Sequence, residues 1–403
     1  DIMLMGSGKW SDYFGFPFRK VFFIIICAYS AWFWLSRGLA TARELQAISF
    51  LAILLMLWGL LLPALYGTNL SYALGDSLPL YGLLFAPAIN CVISKNGLWY
   101  DSRNFIYWLA RLLAVAHVTI ATLGILFRDQ AEIIAVFVNY VLDPVEGGIV
   151  GINFEPDTFR IMYGSSLFLL LGFYICMDRL RTSSKISNIL DAVLFLAAIA
   201  ATTTRSYYLA VVLSWCIYFF FRLVPLKFRL SIGFFLTMGA ILALLTVPII
   251  LMVDPSFVAQ LGLPSRPESD EYRYLQSASL LASLLDNVLI GKGFGAHTDL
   301  TSQVIAPYSY ELSILAYDMK VGIIGLIVTV VIFVLYARTA QLSTLAQVGK
   351  ERFAVWFAAI FVTIFISNTN PYLFSFLGFY LLMFFYLELR SLLNPSHKCN
   401  GLN

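Results

Sequence analysis

ISNILDAVLFLAAIAATTTRSYYLAVVLSWCIYFFFR, residues 186–222, holds two apolar runs, 186–203 and 206–222, joined at the polar turn Thr202-Thr203-Thr204-Arg205-Ser206. Each run is about the length that crosses a bilayer's hydrocarbon core, and in lipid only a helix satisfies its own backbone over such a length. The stretch therefore reads as a tight hairpin of two membrane-spanning helices with an arginine at its tip.

The same reading extends outward in both directions. Further apolar runs lie at 20–36, 45–66, 77–94, 105–127, 160–178, 228–253, 310–337, 353–368 and 371–389. The last two are separated only by Ser367-Asn368-Thr369-Asn370-Pro371, a second tight hairpin. The expectation is an all-α, polytopic transmembrane bundle of about 11–12 helices. Composition agrees. Hydrophobic residues make up 60% and charged residues 12% of 403, with mean hydropathy +0.83. A soluble domain averages about 45–50% apolar and about 25% charged, so a water-soluble fold of this size is excluded.

Orientation comes from where the basic residues fall. One set of loops carries Arg37 and Arg43, Lys95 and Arg103, Arg179, Arg181 and Lys185, Arg222, Lys227 and Arg229, Arg338, Lys350 and Arg352, then Arg390 and Lys398 in the tail. These read as cytoplasmic. The other set faces outward: 67–76 without a basic residue, the acid-rich 128–159, and the longest loop, 254–309. Arg19 and Lys20 disagree, because they precede the first run on the outer side. Either a helix precedes it or the first hairpin is misread. No basic start followed by an apolar run opens the chain, so no cleavable leader is expected. Three regions result: helices 1–253 with the outer loop 128–159, the outer loop 254–309, and helices 310–403.

Two outer segments carry structure of their own. Residues 131–142 are apolar but too short to span. Within the long loop, Glu271–Leu289 places Tyr274, Ala278, Leu281, Leu285 and Val288 at helical spacing, then breaks at Gly291-Lys292-Gly293-Phe294-Gly295. This predicts an amphipathic helix across the membrane mouth, ended by a glycine turn.

The candidate chemistry is outward too. Arg205, Arg273 and Arg160 all fall on the outer side, and guanidinium groups bind phosphate in a bidentate fork. Three of them suit a diphosphate. Each also has a plainer reading: headgroup snorkelling for Arg205, a solvated rim charge for Arg273, and pairing with Glu155 or Asp157 for Arg160. Glu311 lies at the same level and is a candidate general base, or simply a favourable charge near a helix start. His297 is the alternative base, or a solvated loop histidine. Deeper charges, Arg111, His117, Asp318 and Lys320, mark either a transport path or pairing between helices. Asp318 and Lys320 are too close in sequence to pair with each other, so each needs an outside partner.

Negative signals narrow the field. The five cysteines stand singly and the three histidines are far apart, so no metal or redox pair is expected. Gly6-Ser7-Gly8-Lys9 lacks the strand and the Ser/Thr of a P-loop. Neither an internal repeat nor a low-complexity tract is present.

Thr203-Thr204-Arg205-Ser206 resembles the Ser/Thr-Arg hairpin signature of the O-antigen polymerase and O-antigen ligase superfamily. Arg273, followed by an amphipathic run and LDNVLIGKGFGAH (285–297), is similar to that family's arginine and glycine turn. YELSILAYDMKVGIIGL (310–326) resembles its L-x-G-x-x-G-L helix start, and NFEPDTFRIMYGSSLFLLLGFYI (153–175) its outer loop entering a helix. The resemblance covers roughly the second half of the chain. It implies a GT-C-like, metal-independent, inverting glycosyltransferase of the bacterial inner membrane, without a cofactor, whose site faces the periplasm. The implied partners are an undecaprenyl-diphosphate-linked glycan donor, a glycan acceptor, membrane lipid and a chain-length regulator, with no nucleic acid. Arg205 and Arg273 would hold the diphosphate, with Arg160 as an auxiliary contact. Counting back from Gly322, the ligase histidine falls on Glu311. That departure favours a polymerase over a ligase that transfers the glycan to lipid A-core. A secondary transporter is the alternative of another class.

Overall fold

A computed structural model describes residues 18–130, 133, 134, 136, 151–155, 158–162, 166–223, 267–300, 307–310, 312–339, 349–366 and 376–391. The expected span 228–253, the interfacial segment 131–142 for the most part, the hairpin 367–371 and Glu311 lie outside the described residues.

Helices dominate: α1 (Phe18–Ser36), α2 (Ala42–Leu65), α3 (Leu70–Leu84), α4 (Ala86–Lys95), α5 (Trp99–Leu126), α6 (Leu167–Thr182), α7 (Ile186–Ala201), α8 (Arg205–Leu223), α9 (Pro267–Asp286), α10 (Ser313–Thr339), α11 (Lys350–Ile366) and α12 (Phe376–Ser391). Among the described residues, five stretches are long and apolar enough to cross a membrane: 42–65, 70–95, 99–126, 206–223 and 313–336. As described, α6, α7, α11 and α12 run only 16 or 17 residues, short of the ~20 that a full crossing takes.

One segment departs from the expected helix at 160–178. Thr158–Met162 forms a strand, β2, antiparallel to β1 (Gly151–Glu155), with Arg160 opposite Asn153. The helix begins only at Leu167. The run Thr158-Phe159-Arg160-Ile161-Met162 alternates large apolar with polar side chains and is rich in strand formers, so it pairs rather than coils.

α6 is the central helix. Every residue from Leu167 to Asp178 is buried, as befits a helix apolar on all sides. α5, α7 and α11 pack around it through Tyr107, Phe195 and Trp356, and α12 joins the same core by setting Phe384 against Trp356. A second cluster joins Leu51, Leu54, Leu55 and Trp58 of α2 to Tyr317, Val321 and Ile332 of α10.

One end of the bundle is tied by charge. Asp178 of α6 meets Arg103 of α5 at 2.8 Å, Arg181 at 3.2 Å and Arg352 of α11 at 3.4 Å. Glu388 of α12 pairs with the same Arg103 at 3.2 Å and accepts from Trp99 Nε1 at 3.0 Å. Glu44 of α2 pairs with Arg390 of α12 at 3.4 Å, and Arg222 of α8 reaches Glu351 of α11 at 3.7 Å. All of these arginines belong to the set of loops that the basic-residue count puts on one side. The helices therefore share one sense of up and down. Arg205, seventeen residues before Arg222 along α8, sits at the opposite end, about 25 Å away by helical rise. α1 runs toward Glu44, so Arg19 and Lys20 stay at that opposite end, against the trend of the other basic residues.

At the far end α10 is not one helix. Gly322 sits at φ 61, ψ −173 and breaks it into Ser313–Val321 and Ile323–Thr339. In a straight helix Tyr317 and Thr329 would lie about 18 Å apart. Here Tyr317 Oη and Thr329 Oγ1 are 2.6 Å apart, so the two limbs bend toward each other. The apolar run 310–337 concealed the bend, because apolar residues continue across Gly322 despite Asp318 and Lys320 in the first limb.

The loop after α9 fills the break. Lys292 N and Gly293 N donate to Met319 O and Lys320 O at 3.1 and 2.8 Å, while Ile323 N and Ile324 N donate to Val288 O and Leu289 O at 3.0 Å each. Four groups that a helix break would orphan in an apolar environment are thus paired. The fit needs glycine on both sides: a Cβ on Gly291 (φ +71) would strike the Lys320 carbonyl, and one on Gly322 the Gly291 amide. α2 contributes a second discontinuity. Residues 57–61 form a π turn in which Leu62 N donates to Leu57 O. The next such donor to Trp58 O would be Pro63, which has no N–H. Phe294 N takes that carbonyl at 2.7 Å, and Trp58 Nε1 returns a bond to Ile290 O at 2.7 Å.

Candidate functional site

Arg205 is the first residue of α8, and the turn that presents it is strained. Thr202 ends α7 with its hydroxyl on Ile199 O at 2.7 Å. Thr203 sits at φ 46, the left-handed region, where a β-branched side chain costs about 1–2 kcal/mol. Its hydroxyl is buried with no hydrogen-bond partner. Thr204 then heads α8, its carbonyl accepting from Tyr207 N and Tyr208 N at 2.9 and 3.3 Å. An arginine in the first turn of a helix is set against the positive end of the helix dipole. The cationic side chain and the dipole together make that spot attractive to an anion.

Arg273 lies on α9, three residues before Gln276 and four before Ser277. Gln276, Ser277 and Leu280 are buried where α9 meets α10. The expected stripe is instead the outer face, with Tyr274 and Leu285 exposed. Arg160 stands on β2, which lies against α5 and α7, rather than opening a helix. Glu311 falls outside the described residues, between Tyr310 and Leu312.

His297 is exposed, at the end of the glycine turn. Its Nδ1 lies 3.1 Å from Gly295 O. A carbonyl only accepts, so Nδ1 carries the proton and Nε2 of the neutral ring keeps its lone pair. The ring stands edge-on to Tyr72, which neighbours Tyr308.

The segments holding the two candidate bases are tied together. Tyr310 Oη accepts from Thr298 N at 2.6 Å. Lys320 Nζ donates to Tyr308 O at 2.8 Å and pairs with Asp76 Oδ2 at 2.7 Å. Asp76 Oδ2 also accepts from Gly295 N at 2.8 Å. Both ends of the ion pair are more than nine-tenths buried. One buried pair therefore fixes residues 295 and 308, two before His297 and three before Glu311. Burial pushes the Tyr308 phenol up, with Asp76 and Tyr72 adding to it. Burial also raises Tyr310, against the lowering bonds to Thr298, with Asp76 and Tyr272 adding to the rise. Both phenols stay neutral donors at physiological pH.

The sequence signalled that Lys320 needed a partner and did not supply one. Asp76, read as the last residue of an outer loop, belongs to α3. Arg111 has found Asp191 at 3.0 Å, and His117 lies between Leu113 O and Ser166 Oγ at 2.9 and 3.0 Å. Of these four deep charges, Asp318 alone, buried, has no hydrogen-bond partner for either oxygen among the described residues.

No protein-family model, curated protein or solved structure matches this chain.

Proposed function

We propose that this chain is an integral-membrane glycosyltransferase of the O-antigen polymerase type, acting at the outer face of the inner membrane on a glycan linked to undecaprenyl diphosphate. The observation that carries the reading is the Thr202–Arg205 turn. A strained threonine with an unpartnered hydroxyl sets an arginine at a helix start, at the end opposite the ion-paired one. Strain of that kind is retained where function needs it. The family resemblance of the same residues supports the substrate class.

In the proposed reaction the acceptor hydroxyl oxygen attacks the anomeric carbon of the donor glycan. The bond from that carbon to the diphosphate oxygen breaks, and the configuration inverts. The hydroxyl proton passes to Glu311, or to His297 Nε2 as the alternative base. Undecaprenyl diphosphate leaves as an anion held by Arg205 and Arg273, with Arg160 as an auxiliary contact, so no general acid is required. The lipid tail lies between apolar helices. Transport is the weaker reading, since Arg111 and Lys320 have structural partners and only Asp318 remains to mark a path.

The test is incubation of purified protein with a lipid-linked repeat unit, with products sized on a gel. Arg205→Ala and Arg273→Ala should each lower polymer formation by about 10²–10³ with the melting temperature unchanged. Normal polymer from either variant removes that arginine. Loss of all attachment to lipid A-core in a knockout, with chain length intact, would replace polymerase by ligase.

A further inference from the structure

α9 does not bury its expected apolar stripe. Leu275 and Leu285 are exposed, whereas Gln276, Ser277 and Ser283 are buried beside Leu280. The outer face suits the apolar margin of a bilayer, which leaves the polar groups of the inner face to be explained. Ser277 satisfies itself on Tyr274 O at 2.8 Å. Gln276 does not: it is fully buried, and neither Oε1 nor Nε2 has a hydrogen-bond partner. One turn earlier on the same face, the buried Tyr272 hydroxyl also lacks one. Nearly all buried polar groups are bonded, and a buried amide can donate twice and accept twice. Three orphaned atoms on adjacent turns describe a ligand by its missing half.

Their chemistry names its class. An amide and a phenol are neutral, so they select hydroxyl or acetamido groups rather than an ion. Arg273 follows Tyr272 directly, on the register of Gln276 and Ser277. We propose that the inner face of α9 is a sugar-binding seat, in which Gln276 and Tyr272 hold the sugar next to the lipid-borne diphosphate. The seat rests on the donor reading above. α9 is closed on α10 in this structure, and the sugar enters as α9 lifts, its leucine face sliding in the lipid.

The seat is tested on the full chain in nanodiscs, by thermal unfolding with two kinds of probe. One is bare undecaprenyl diphosphate. The other is the same lipid carrying a single N-acetylglucosamine, N-acetylgalactosamine, glucose or galactose. Wild-type protein should be stabilised by the bare lipid, and at least one sugar should tighten binding at least tenfold. Gln276→Leu, which removes the orphaned amide, should melt higher than wild type without ligand, keep its response to the bare lipid and lose the sugar increment. Tyr272→Phe deletes one hydroxyl and should lose part of the increment with its ligand-free melting unharmed. A lower ligand-free melting temperature in both variants means these groups are already bonded and overturns the seat. So does a sugar increment that survives Gln276→Leu, or a response to the bare lipid that no sugar enlarges. No response to any of the lipids overturns the donor reading, and the seat with it.

Discussion

At the end that holds Arg103, Asp178 and Glu388, side-chain charge ties α2, α5, α6, α8, α11 and α12 together. At the opposite end the chain is held by backbone hydrogen bonds between a glycine loop and a broken helix, with one buried ion pair beside them. The first arrangement is redundant: Asp178 alone serves Arg103, Arg181 and Arg352. The second has little to spare, and it leaves Thr203, Tyr272, Gln276 and Asp318 with buried polar atoms unbonded. The charged end also has buried donors without a hydrogen bond, Arg103 Nε and Arg352 Nε, but each faces a carboxylate, Glu388 at 3.2 Å and Asp178 at 3.4 Å. The two ends differ in charge pairing rather than in whether every polar group is bonded.

That contrast can be broken most forcefully at the charged end. Asp178→Ala leaves three guanidinium groups without their shared carboxylate, so destabilisation should reach the upper part of about 3–5 kcal/mol. Turnover per folded molecule should be unchanged, because the substitution is far from the proposed site. Thermal unfolding paired with specific activity checks both. Lost activity in the surviving folded fraction would mean that the ends are not separate in function.

Gly322→Ala comes next. The left-handed backbone costs alanine about 1–2 kcal/mol and the collision with Gly291 about 1–3 more. The expected loss is therefore about 2–5 kcal/mol, centred below that of Asp178→Ala. The damage should be local, with proteolysis appearing first between 288 and 300. Uniform proteolysis along the chain would show that the glycine contact is not a distinct unit. Asp76→Asn is milder, about 1–3 kcal/mol. It keeps an acceptor for Gly295 N but strands the Lys320 charge, which retains only the Tyr308 carbonyl. Because the pair fixes the loops bearing both candidate bases, kcat should fall while KM for the donor changes little. Lys320→Met in the same chain should restore stability more than kcat. Recovery of both together would make the pair purely structural.

The charged end was largely legible in the sequence. Arginine positions alone sorted the loops, since burying a charge in lipid is costly and the cytoplasmic bias follows from insertion. The hairpin at Thr202–Ser206 was legible for the same reason: a polar turn between apolar runs has one place to go. The far end was not. Averaged hydropathy does not see the break at Gly322, since Val321 and Ile323 on either side continue one apolar run. Asp76 was hidden because a helix start is set by the Asn69 cap, whose side chain accepts from Ser71 N at 2.9 Å, rather than by where hydrophobicity rises. Arg160 was assigned to a helix because alternation over five residues looks like the ragged start of an apolar run. A single glycine decided the first case, a cap reaching two residues along the chain the second and a strand pairing across seven residues the third; average hydropathy registers none of them.

The smallest expected effect is also the most discriminating. Thr203→Gly removes a β-branched residue from a left-handed backbone and deletes a buried hydroxyl that bonds to nothing. Relief of strain should outweigh the extra freedom of the unfolded chain, for a net gain of about 0.5–1 kcal/mol. If the strain serves to hold Arg205 at the start of α8, the same change should loosen that arginine and lower turnover while the melting temperature rises. Stability and activity would then move in opposite directions from one substitution in a turn. A variant that melts higher and works as well as wild type would show the strain to be incidental, and would remove the turn as support for an anion site at Arg205. A variant that melts lower would show that Thr203 holds the hairpin together, and the far end would then resemble the charged end more than its unbonded atoms suggest.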